Sequence, residues 1–193
     1  MRSRLLALLL TVAAAVPALG AAALAGCSGS TTESGSDGST LPATTGESGA
    51  LVGITAAHNR ARAEVSPPPA APMPPLTWSD SVAAVAQAWA AGCQFGHNPN
   101  TPYGENIFAS SGQSTAESVV ADWVSEKAGY DYATNRCSGF TCGHYTQVVW
   151  AKSLRLGCAV QNCTKNSPFG GGAWQLWVCD YDPPGNFGSQ RPY

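Results

Sequence analysis

The sequence predicts one disulfide-stapled α+β domain, with helices packed on an antiparallel sheet. Three observations carry this reading. Segments of helical period fill the first half of the globular region, and β-branched and aromatic runs fill the second. Six cysteines stand in that region, an even number suited to bridges in an exported chain. A sharp change of composition near residue 50 separates the domain from what precedes it.

The N-terminal segment is read as targeting rather than fold. Arg2 and Arg4 precede an apolar run from Leu5, which Pro17 and Gly20 interrupt before a flank of small residues. This is the pattern of a secretory signal over residues 1–26. Leu24, Ala25, Gly26 and Cys27 resemble a bacterial lipobox, so Cys27 is the candidate lipidation site. Acyl chains on Cys27 would anchor the exported protein to the cell envelope with no spanning helix, and ordinary release is the alternative. Residues 27–49, rich in Ser, Gly and Thr, lack the apolar surface needed to offset ordering entropy and are expected to form a flexible tether. Residues 50–193 then form the domain. With a net charge of −2 and 11% charged residues, the chain has no basic stripe to neutralise phosphates, which argues against a nucleic-acid partner.

The first helix is expected between Leu51 and Val65, where Leu51, Ile54, Ala57, Ala61 and Val65 recur at helical spacing. "SPPPAAPMPP" then forbids a helix and makes a stiff loop. A second helix follows Ser79 or Asp80 as N-cap and buries Val82, Val85, Ala86, Trp89, Ala90 and Cys93. A third opens on the capping box Ser114-Thr115-Ala116-Glu117, with Ala116, Val119, Val120 and Trp123 as its stripe. Three strands are expected: "YTQVVW", "LRLGCAV" and "AWQLWVCDY". The last two flank a Gly- and Asn-rich turn, placing Cys158 near Cys179. The spacings of Cys93, Cys137, Cys142, Cys158, Cys163 and Cys179 contain no CxxC pair, so bridges are preferred to a zinc ribbon.

Glu126 breaks the third helix's pattern. It falls on the apolar stripe three residues after Trp123, in a last turn where the helix dipole disfavours an anion. A buried carboxylate there needs a partner, and the alternative is a frayed helix end that lets it reach water. The candidate partners are His144, His97 or a metal, and Glu105 is a second acid among apolar neighbours. His58, beside Asn59 and Arg60, is read as partly exposed or hydrogen-bonded rather than functional.

Taken together, "HNRARAEV", "LTWSDSVAAVAQAWAAGCQFGHN", "YGENIF", "VVADWVSEKAGYDYATNRC", "CGHYTQVVWAKSLRLGCA" and "WVCDYDPPGNFGSQRPY" resemble the CAP superfamily of cysteine-rich secretory proteins, antigen 5 and plant pathogenesis-related proteins. The resemblance covers nearly all of residues 50–193, is nearest to the plant branch, and departs in a proline-rich insertion between Val65 and Pro75 and in "NPNTP" between His97 and Glu105. With the leader, it points to an exported bacterial member. It implies an α-β-α sandwich around a three-stranded antiparallel sheet and a cleft formed by His97, Glu105, Glu126 and His144. It also implies the bridges Cys93–Cys163, Cys137–Cys142 and Cys158–Cys179.

Three functions are compatible with that resemblance. The leading one is an extracellular monomer that binds a lipid, sterol or other apolar ligand through Tyr130, Tyr132 and Phe140, with zinc or another divalent ion held weakly by His97 and His144. The second is a metal-dependent hydrolase using the same cleft, against which stand the absence of HExxH and of a recognised nucleophile setting. The third is a precursor that releases "PPGNFGSQRPY" as a signal. The competing reading of that tail is a docked end anchored by Phe187 and Tyr193.

Overall fold

The computed structural model describes residues 46–139 and 141–193. The leader, Cys27, most of the tether and Phe140 therefore lie outside the described residues. In chain order the elements are α1 (Ile54–Ala63), β1 (Thr77–Trp78), α2 (Asp80–Ala90), β2 (Gly104–Ser110), α3 (Ala116–Ser125), β3 (Tyr130–Asp131), β4 (Arg136–Cys137), α4 (Gly143–Val148), β5 (Arg155–Cys163) and β6 (Trp174–Asp182). A 3₁₀ turn, Glu126–Gly129, continues α3. Among the described residues no helix is long and apolar enough to cross a membrane.

The main sheet has the order β1-β5-β6-β2. Its β5, β6 and β2 are antiparallel, and the two residues of β1 add a short parallel edge to the expected three strands. The central strand β6 is buried on both faces, as a strand covered on two sides must be. Trp174, Leu176 and Val178 meet Ala86, Ala90 and Cys93 of the α2 side. Trp177, Cys179 and Tyr181 meet Ile54, Val119, Trp123 and Tyr145 on the other. Helices thus cover both faces. Gly157 lets α2 approach β5, because a Cβ there would overlap the backbone of Val82 and Ala83. All three expected disulfides are formed, and Cys158 pairs directly with Cys179 in the hairpin register.

Several local expectations are corrected. "YTQVVW" is not a strand: Gly143–Val148 is a short helix whose Tyr145, Thr146, Gln147 and Val148 are all buried. A run buried on every side carries no period to distinguish helix from strand, and tertiary contacts decide it. Thr146 Oγ1 bonds back to the Cys142 and Gly143 carbonyls, closing the first turn. β2 was not expected as a strand; its polar start "GEN" hides the alternation. The α3 capping box is one residue later than read, Thr115 with Ser118. Ser79 is the N-cap of α2 but makes no side-chain cap bond, while Asp80 accepts from the Gly46 N–H and from Trp78 Nε1. Ahead of α1, Glu47 accepts the N–H groups of Gly53 and Thr55 at 2.7 and 2.8 Å, so residues before position 50 also bond to the domain.

Candidate functional site

The four residues that the resemblance assigns to a cleft form two imidazole–carboxylate pairs. In the first, His97 Nδ1–H donates to Glu105 Oε1 at 2.7 Å, and the Asn98 N–H donates to the same oxygen at 3.0 Å. His97 stands on the loop after α2, which the Cys93–Cys163 bridge and a Trp89 Nε1 bond to the Gly96 carbonyl hold in place. Glu105 projects from β2. In the second pair His144 Nδ1–H donates to Glu126 Oε1 at 2.7 Å. The other oxygen, Oε2, accepts the backbone N–H groups of His144 and Tyr145 at 2.9 and 3.2 Å. Glu126 is thus the anion at the start of α4, where the helix dipole favours it. The helix end does not fray, and the expected partner of Glu126 is His144.

Asn106 joins the two halves. This residue follows Glu105 on β2, and its amide donates to the His144 carbonyl at 3.1 Å and to Tyr181 Oη at 3.0 Å. Tyr181 in turn donates to His58 Nε2 at 2.8 Å, while His58 Nδ1–H donates to the Ile54 carbonyl at 2.7 Å. His58 is fully buried and hydrogen-bonded, and desolvation lowers its pKa to about 4, so it is a neutral structural imidazole.

One acid escaped the sequence reading. Asp180 faces Glu105 across the β2–β6 ladder and is fully buried. Burial first, and the Glu105 charge second, push its carboxyl up to about 8, with Thr101 offsetting part of the rise. Asp180 is therefore a neutral acid at neutral pH, behind the His97–Glu105 pair. The signal was present in "WVCDYD", where an aspartate interrupts a strand that is otherwise apolar on alternate positions.

The tyrosines read as a ligand surface pack against the C-terminal tail. Tyr132 stacks on Tyr193 with ring centroids 4.8 Å apart and donates to its carbonyl at 2.6 Å. Arg191 lies over the Tyr132 ring, and Tyr130 sits edge-on to Tyr132 and against Tyr145. The tail is docked by backbone and side-chain bonds. Gln147 Oε1 accepts the Gly185 N–H, Asn186 bridges Gly143 and Thr146, and the Ala151 N–H donates to the Pro192 carbonyl. Phe187, expected as an anchor, is 51% exposed; Tyr193 and these polar bonds hold the end instead.

Each cleft histidine presents Nδ1 to a carboxylate, which leaves Nε2 as the nitrogen available to a ligand. That is the arrangement by which carboxylates orient metal-binding imidazoles. Among the described residues no three His, Cys, Asp or Glu side chains converge to hold a metal ion.

Known proteins agree with this architecture. The chain is 43% identical over 141 residues to pathogenesis-related protein 1 of Arabidopsis thaliana, covering 71% of this chain and 78% of that protein. It is 46% identical over 143 residues to pathogenesis-related protein 1A of Nicotiana tabacum, covering 71% and 77%. Mouse GLIPR1-like protein 1 is 42% identical over 147 residues, with 70% and 60% covered. Among solved structures, venom allergen-like protein 4 of Schistosoma mansoni superposes with a TM-score of 0.59 at 27% identity, over 72% of this chain and 90% of that one. NaASP2, solved with Zn²⁺, superposes with a TM-score of 0.57 at 29% identity, over 72% and 82%. The profile of the cysteine-rich secretory protein family matches residues 55–181. With the three bridges and the two-faced helix–sheet packing in place, the chain belongs to the CAP, or cysteine-rich secretory protein, family.

Proposed function

We propose that this chain is an exported CAP-domain binding protein whose cleft takes a divalent cation through the Nε2 atoms of His97 and His144. The observation that carries the reading is the pairing of each Nδ1 with a carboxylate at 2.7 Å. A carboxylate accepting from Nδ1–H fixes the tautomer with its lone pair on Nε2. A bound ion would supply charge to an anionic or carbonyl-bearing ligand, with water completing its coordination. The related NaASP2 was crystallised with Zn²⁺, which is consistent with this chemistry. Three disulfides fit an extracellular setting. The leader and Cys27 support attachment to a cell envelope. Binding rather than hydrolysis is preferred, because catalytic zinc sites hold the ion with three protein ligands and among the described residues no three His, Cys, Asp or Glu side chains converge.

Calorimetry with zinc on the exported protein and on a His97→Ala/His144→Ala variant tests the reading. Heat is expected from the first and none above dilution from the second. Equal heats would remove the site.

A further inference from the structure

The loop between α1 and β1 holds six prolines in the ten residues Ser66–Pro75 and no charged side chain. Fixed φ at each proline makes this segment a stiff arch. With the end of α1 it borders a solvent-open pocket of about 480 Å³. Ala63, Pro69, Ala71, Pro72 and Met73 supply apolar walls, and Arg62 supplies a cation. The volume lies within the range of small-molecule sites.

Arg62 is only 3% exposed. Its Nη1 donates to the Val148 and Trp150 carbonyls at 3.1 and 2.7 Å, and its Nη2 to those of Pro74 and Ser153 at 2.8 and 3.3 Å. All four acceptors are neutral, and Nε–H has no acceptor. Desolvation lowers the guanidinium pKa to about 10, and Tyr181 offsets part of the fall. A buried charge answered only by dipoles is unfavourable, and an anion in the adjoining cavity would relieve it.

We propose that the cavity under the proline arch binds a compact, ring-bearing organic monocarboxylate, its rings against the Pro, Ala and Met walls and its charge compensating Arg62. A rigid ring suits this wall better than an alkyl chain. The prolines cannot adapt to a chain, and a chain would lose more rotational freedom on binding. The site shares no residue with the His/Glu cleft, so it stands independently of the metal reading.

The test is a titration of the exported chain with 2-naphthoate, 2-naphthalenemethanol and dodecanoate, followed by calorimetry and by amide and methyl NMR shifts. Naphthoate is expected to bind at least tenfold more tightly than the uncharged alcohol or the flexible acid. It should shift the signals of Ala63, Ala71 and Met73 and leave those of His97 and His144 in place. Ala71→Trp, at an exposed wall position, should weaken naphthoate at least tenfold while leaving Tm and zinc binding unchanged. Met73→Trp is the second cavity-filling variant, should the first shift Tm. Undiminished affinity in a folded filled variant, equal binding of the alcohol, tighter binding of dodecanoate, or no naphthoate binding at millimolar concentration would each overturn the proposal.

Discussion

The two histidine–carboxylate pairs have the same 2.7 Å contact but opposite surroundings. His97 is 62% exposed over a Glu105 that is 4% exposed, with the neutral acid Asp180 behind it. His144 and Glu126 are 26% and 15% exposed, and Glu126 also accepts two backbone N–H groups of α4. One carboxylate therefore holds up a helix as well as an imidazole, and the other accepts a single loop N–H, from Asn98, opposite a second acid on β6. The lesson is that a shared ligand geometry can rest on unlike supports, so equivalent substitutions should have unequal costs.

Glu126→Ala should break the comparison most clearly. It removes three charge-assisted hydrogen bonds at once, two of them to a buried helix start. A loss of about 3 kcal/mol is expected in urea unfolding, together with loss of zinc heat. A change under about 1 kcal/mol would show that α4 does not depend on this carboxylate.

Asp180 sharpens the other side. An acid whose folded pKa is raised to about 8 from the ordinary 3.8 binds its proton in the native state only, so it lowers stability as pH rises between those values. His58, lowered to about 4 from 6.5, acts in the opposite sense over pH 4–6.5. These two contributions cancel up to pH 6.5, and the wild type should then lose about 2 kcal/mol between pH 6.5 and 8. In Asp180→Asn that fall should vanish and stability should instead rise from pH 4 to 6.5. Parallel pH–stability curves for the two proteins would show that Asp180 is ionised in the fold.

The smallest effect separates the histidines themselves. His97→Ala should change stability by no more than about 0.5 kcal/mol, because the ring is largely exposed. His144→Ala, partly buried and packed with Trp123 at a centroid distance of 6.2 Å, should cost about 1 kcal/mol. Each single variant should weaken zinc, even though only one weakens the fold. Equal stability losses would remove the distinction between the two pairs.

The two pairs were legible in the sequence only through an anomaly and the family motifs. Glu126 stood out because an acid on the stripe of Val119 and Trp123 has to be answered by something, and the answer is His144 with the start of α4. His97 and Glu105 carried no such periodic signal, since one lies on a loop and the other opens a strand with a polar tripeptide. Asp180 gives no clear signal because alternating acids such as the two in "WVCDYD" are ordinary on an exposed strand face, and burial on both faces of β6 follows from the packing of α2 and α1.

Local patterning determined what depends on near neighbours. The stripes of α1, α2 and α3, the stiffness of the proline loop and the β5–β6 hairpin all follow from side-chain period and turn chemistry within a short stretch of chain. The pairing of the cysteines was implied by resemblance, since the spacings alone leave every connectivity open. Only the tertiary structure made Gly143–Val148 a helix, turned Tyr130 and Tyr132 towards the tail, left Phe187 in solvent and put Asp180 beside Glu105. Each of these outcomes rests on contacts between residues far apart in the chain. Burial and the surrounding field then set conformation and charge against local preference.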